Sequence, residues 1–100
     1  MNMKPTITID IICQHYEIEY SFVERLDELG LIEIVTVDNA PCVDENQISQ
    51  IDKIMRLHHE LEINPEGIDV VFNLLDKIQR LEQSLTSAET RLNVFESLLK

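Results

Sequence analysis

The side chains of this chain that could do chemistry fall into two groups, and neither forms a catalytic motif. His58 and His59, flanked by Glu60 and Glu62, have the ligand types of a metal site, as do Cys13 and His15. Adjacent histidines on a helix point about 100° apart, and residues two apart diverge in the same way, whereas zinc requires ligands that converge on one point. No nucleophile paired with a base, glycine-rich phosphate loop or paired-carboxylate motif is visible. The expectation is a protein with no catalytic residues, no metal and no cofactor. The second group is acidic: Glu24, Asp27 and Glu28 in "SFVERLDELGLIEI", residues 21–34, then Asp44 and Glu45 in "DENQ". Carboxylates at such spacing can recognise a basic surface by charge complementarity, or they can be the solvated side of an amphipathic helix.

The composition supports the electrostatic reading. Nineteen acidic against eight basic side chains in 100 residues give a net charge of −11. A polyanion would meet repulsion in place of the counter-charge that dominates DNA affinity. Nucleic acid is therefore disfavoured as a partner. Cys13 and Cys42 form no CxxC pair, and no signal peptide or long apolar run is visible. These features predict a cytoplasmic protein with reduced thiols and no membrane segment.

The elements that must position these residues follow from periodicity. In "ITIDIICQHY" Ile7 and Ile9 alternate, and then Ile9, Ile12, Cys13 and Tyr16 take helical spacing, giving a short strand and a first helix. Phe22, Val23, Leu26 and Leu29 mark a second helix, which Gly30 can end in a left-handed conformation. "LIEIVTV", the turn residues "DNAP" and "CV" predict a two-stranded wing. Asp44 and Gln47 approximate a capping box for a third helix over 44–61, with Ile48, Ile51, Ile54 or Met55, and Leu61 on its apolar face. In "NPEG", Asn64 can cap a fourth helix, Pro65 suits its first position and Glu66 faces the positive end of the helix dipole.

That last helix carries Leu74, Ile78, Leu81, Leu85, Ala88, Leu92, Phe95 and Leu99 in alternating steps of three and four, a coiled-coil seam without glycine or proline. About thirty residues of helix span roughly 45 Å, more than the preceding segment can cover. A partner helix is required, and a homodimer is the expected solution. Lys77 and Arg91 would pair with Glu82, Glu89 and Glu96 in a parallel dimer and meet like charges in an antiparallel one, but exposed pairs are too weak to fix orientation. The predicted organisation is a domain over 1–63 followed by a dimerisation helix over 64–100.

This order of elements resembles the MerR family of transcription regulators over nearly the whole chain. The expected fold is therefore mainly α: a MerR-like winged helix-turn-helix with a small β-wing and a long C-terminal coiled-coil dimerisation helix, paired antiparallel as in that family. The family's recognition helix resembles "TLRYYERLGLL". Aligned through "LGLI" at 29–32, its arginine positions become Glu24 and Glu28, and its paired tyrosines become Arg25 and Leu26; "PCV" at 41–43 stands where "RRY" is usual. Closer still, "ICQHYEIEYSFVERLDELGLIEI" and "MRLHHELEINPEGIDVVFNLL" are similar to the CbpM family of chaperone modulators. That resemblance implies a dimer that binds the J-domain of a DnaJ/CbpA-like co-chaperone and inhibits its stimulation of Hsp70. Glu24, Asp27 and Glu28, with Asp44 and Glu45 as a second surface, are the expected partner-binding residues, because a J-domain presents a basic helix. The alternative is a MerR-like DNA-binding transcriptional regulator. Lys4 and Arg25 are the only basic side chains before residue 53, which weighs against it.

Overall fold

The computed structural model describes residues 5–100. Strand β1 (Thr6–Thr8) leads into α1 (Ile9–Tyr16), where the Thr8 hydroxyl accepts from the Ile11 amide and caps the first turn. Glu17, with φ 54°, ends α1 in the left-handed region. Helix α2 (Tyr20–Glu28) follows and buries Val23 and Leu26. Beyond it Gly30 has φ 78°. Nothing lies within 4 Å of where its Cβ would stand, so the glycine meets a conformational need and not a spatial one.

The wing is a hairpin of β2 (Val35–Val37) and β3 (Ala40–Asp44). Asp38 and Asn39 both have positive φ, 50° and 64°, the geometry of a type I′ turn, whose twist matches that of the strands. The sequence predicts a two-stranded wing, but β1 joins it to make a three-stranded antiparallel sheet of order β1-β3-β2. Pro41 is tolerated on the central strand because the β1 pairing covers only Cys42 to Asp44, so at Pro41 the strand has a neighbour on one side alone.

"LIEIVTV" is strand only over its last three residues. Leu31 and Ile32 are buried without regular pairing, and side chains satisfy the irregular backbone instead. The Gln50 amide donates to the Leu31 carbonyl at 3.2 Å, and Asp27 accepts from the Ile34 amide at 3.0 Å. Gln47 accepts from the Glu33 amide at 2.7 Å and donates to the Glu33 carbonyl at 2.9 Å. The capping box expected of Asp44 and Gln47 is thus only half formed. Asp44 accepts from Asn46 and caps a 3-10 turn (Glu45–Gln47), Gln47 points its amide to the wing, and helix α3 starts at Ile48 and ends at Leu61. Ile51, Ile54 and Met55 are buried, but Leu61 is exposed, because the last turn of α3 runs past the core.

Helix α4 is continuous from Pro65 to Leu99. Asn64 Oδ1 accepts from the Gly67 amide at 2.8 Å, as expected of the N-cap. The chain forms two compact units, the first ending at Asp69 and the second running from Val70 to Lys100. The division falls later than residue 63 because the first turn of α4 belongs to the first unit, where Ile68 is completely buried. The core there also contains Ile9, Ile12, Val23, Leu26, Val43, Ile51, Ile54 and Met55. The second unit, the rest of α4, buries nothing of its own seam.

Candidate partner-binding surface

Helix α2 exposes Glu24, Asp27 and Glu28, as its amphipathic pattern requires, yet only Glu24 is without a hydrogen bond or ion pair among the described residues. Asp27 holds the entry to the wing through the Ile34 amide. Glu28 takes Arg25 Nη1 at 2.9 Å, while Arg25 Nε donates to Glu66 at 2.6 Å on the first turn of α4. The hydrogen bond from Arg25 is the first cause holding the Glu66 carboxyl below the usual glutamate range, and the bonds to Glu66 and then Glu28 raise the Arg25 guanidinium. The expectation that all three α2 carboxylates lie free on an outer face is corrected for Asp27 and Glu28. Of the second expected surface, Asp44 is half-buried and caps the 3-10 turn, and Glu45 is exposed, with its amide bonded to the Pro5 carbonyl.

The histidines are committed to backbone groups. His58 Nδ1 donates to the Ile63 carbonyl, and His59 Nε2 to the Tyr16 carbonyl, both at 3.0 Å. The His58 ring also packs on Phe22 at 4.3 Å between centroids. No group of three or more potential ligands converges among the described residues. Cys42 is buried, and burial followed by the nearby Asp10 charge raises the Cys13 thiol.

A feature that the sequence pattern did not identify is an apolar groove of about 160 Å³ lined by Ile7, Ile11, Ile12, His15, Tyr16 and Ile48. Ile11 is 56% exposed and lies off the Ile9, Ile12, Cys13 and Tyr16 stripe of α1. An isoleucine where the helical period calls for a polar residue was the available signal. Tyr16 donates to Asp52 at 3.2 Å; burial, then that hydrogen bond, raises its phenol.

On α4, Leu74, Ile78, Leu81, Leu85, Leu92, Phe95 and Leu99 are each at least half exposed, and Ala88 is exposed with them. Charge divides between the two units. Residues 1–69 hold fifteen of the nineteen acidic side chains and four of the eight basic ones, while residues 70–100 hold four of each. All of the net −11 therefore belongs to the first unit, and the exposed apolar helix is neutral.

Helix-turn-helix, wing, elbow and long terminal helix define a MerR-type regulator scaffold, and residues 7–89 match the family described as MerR HTH family regulatory protein. The chain is 30% identical over 95 residues to the chaperone modulatory protein CbpM of Escherichia coli O1:K1 / APEC, with 94% of each chain covered, and equally to that of Escherichia coli O45:K1 (strain S88 / ExPEC). The CbpM protein of Escherichia coli O139:H28 (strain E24377A / ETEC) matches at the same identity and coverage. The chain belongs to the CbpM family of chaperone modulators, built on the MerR-like fold. No helix among the described residues is long and apolar enough to cross a membrane.

Proposed function

We propose that this chain is a cytoplasmic, non-enzymatic chaperone modulator. It acts as a homodimer, binds the J-domain of a DnaJ/CbpA-like co-chaperone and inhibits its stimulation of Hsp70. The observation that carries this reading is the separation of net charge from apolar surface. An acidic body suits a basic protein surface, and a neutral helix with an open heptad seam suits its own copy. Membership of the CbpM family supplies the biological class. Glu24 and Glu45 steer the encounter, while Asp27, Glu28 and Asp44 chiefly serve the fold.

The DNA-binding alternative has less support. Arg25 is the only basic side chain among described residues before Lys53, and two carboxylates hold it.

Titration calorimetry with a purified J-domain, paired with J-domain-stimulated ATP hydrolysis by Hsp70, tests the reading. Stoichiometric binding with loss of stimulation is expected. No binding at low salt, where charge attraction is greatest, refutes it. Leu81→Asp combined with Leu85→Asp tests the dimer by sedimentation. Full burial of a leucine is worth about 1.5–3 kcal/mol, so the four side chains of a dimer, each 60% or more exposed in one copy, contribute several kcal/mol. At about 1.4 kcal/mol per tenfold, that converts a micromolar dimer to monomer.

A further inference from the structure

We propose that the groove between α1 and the start of α3 seats an aliphatic side chain projecting from the basic helix of the partner, so that it anchors a complex that the acidic surface only steers. This inference rests on the J-domain reading and adds the contact surface.

The lining of the groove supports the assignment. The groove is apolar and bounded by Ile11, a large side chain left 56% exposed on a short helix, with Ile7 and Ile48 beside it. Burying such a residue in a pocket is the usual source of a binding hot spot, whereas exposed charges contribute mainly to the rate of encounter. The exposed Tyr20, Val35 and Leu61 do not line it.

Charge around the groove selects the occupant. Glu45 precedes Ile48 by three residues and has no ion-pair partner among the described residues, while Asp10, near Cys13, lies on the opposite side of α1 from Ile11, Ile12, His15 and Tyr16. Asp52, one turn beyond Ile48, accepts from Tyr16 and pairs with Arg56 at 3.1 Å, so that cation is already held. Lys53 is five residues beyond Ile48, about 140° around the helix. An apolar slot beside the unpaired Glu45, on a unit that carries all of the net −11, fits an apolar residue set among lysines or arginines. It does not fit a second copy of this chain's own acidic unit, which would bring like charges together.

The α2 face offers less, because Asp27 and Glu28 are already engaged. The groove therefore supplies the adhesion that α2 lacks.

The test compares the full chain with Ile11→Asp, with Glu45→Lys, and with Glu60→Lys as a control for charge. Each is titrated with the purified J-domain at two salt concentrations. Ile11→Asp adds a negative charge, which favours a basic partner electrostatically, so a loss of tenfold or more in affinity isolates the apolar contact. Glu45→Lys slows association and flattens the salt dependence, and Glu60→Lys stays within about twofold. Helical circular dichroism and sedimentation of each variant accompany the titrations.

If the unmutated chain binds and Ile11→Asp binds equally well, the groove assignment is overturned while the J-domain reading stands. If Ile11→Asp instead dissociates the dimer, a second copy occupies the groove and the proposal fails. If the unmutated chain does not bind a J-domain, both fall. Should Ile11→Asp lose helicity, Ile11→Ala decides by the same comparison, with an unchanged affinity overturning the assignment.

Discussion

An antiparallel dimer of α4 would place residue 78 of one copy far from residue 78 of the other, and a single cysteine can report that distance. In antiparallel pairing the alternating seam positions match in one register: Leu74 meets Leu99, Ile78 meets Phe95, Leu81 meets Leu92 and Leu85 meets Ala88. Each pair is the mirror of the next about a point between residues 86 and 87, so a two-fold axis closes the dimer without a leftover apolar residue. The two copies of residue 78 are then separated by the step from 78 to 95, seventeen residues of unbroken helix, or about 25 Å at 1.5 Å per residue. A disulfide needs Cα atoms within about 7 Å. Ile78→Cys alone should therefore remain uncrosslinked under mild oxidation, whereas Ile78→Cys with Phe95→Cys should give a covalent dimer on non-reducing gels. A parallel in-register dimer would put residue 78 beside its own copy. Efficient crosslinking of the single variant, beyond what Cys13 and Cys42 give in the unmutated chain, would refute the antiparallel arrangement and favour the Lys77 to Glu82 and Arg91 to Glu96 pairing of the parallel one.

Gln47→Ala removes two hydrogen bonds to Glu33, each worth about 0.5–1.5 kcal/mol net, and urea denaturation should show a loss of roughly 1–3 kcal/mol. Arg25→Met should destabilise the fold at neutral pH. The depressed Glu66 carboxyl contributes stability above its unfolded value of about 4.3 and loses it as pH falls through the lower folded value, so the gap between variant and parent should close in acid; a gap independent of pH would assign Arg25 to packing. Duplex DNA should show no nanomolar, sequence-selective binding by fluorescence anisotropy at low salt, where any electrostatic affinity is greatest.

The elements legible in the sequence are those whose determinants are local. Asn64 and Pro65 start α4, and the sequence placed both, because a cap and a fixed φ act within a few residues of themselves. Gly30 in the left-handed region and the turn at Asp38 and Asn39 were accessible for the same reason, although Ala40 and Pro41, read as turn with them, belong to β3. The parts that were not legible join distant segments. β1 reaches β3 across more than thirty residues, and nothing in "TIT" names its partner. Gln47 looked like a capping residue because its distance from Asp44 is right, but the unpaired amide and carbonyl of Glu33 offered its side chain a better-satisfied position. Asp27 and Glu28 looked like free surface charge because helical periodicity reports which side faces outward. It cannot report that the wing backbone or Arg25 waits there. The groove was hidden for a related reason: Ile7 and Ile11 come from one end of the chain and Ile48 from the middle, and only the sheet brings them together.

The position of Arg25 bears on the proposal that this MerR-like frame does not bind phosphate. A guanidinium held by Glu28 and Glu66 belongs to a cluster of net negative charge, and its donors at Nε and Nη1 are already used. Its value to the fold is mechanical, because it ties α2 to the first turn of α4. The segment leading into the wing is tied to α2, the 3-10 turn and α3 by Asp27, Gln47 and Gln50. Polar groups drawn into such contacts are not free to serve a ligand, which leaves unpaired carboxylates such as Glu24 and Glu45 and the exposed Ile11 to do so. Self-association through residues 70–100 meets little electrostatic opposition from that segment, since it carries equal numbers of each charge. The same is not true of residues 1–69, whose repulsion for their own copy is attraction for a basic partner. On the proposed reading one chain is selective in two directions: the neutral helix would accept its own copy, and the acidic body a basic partner.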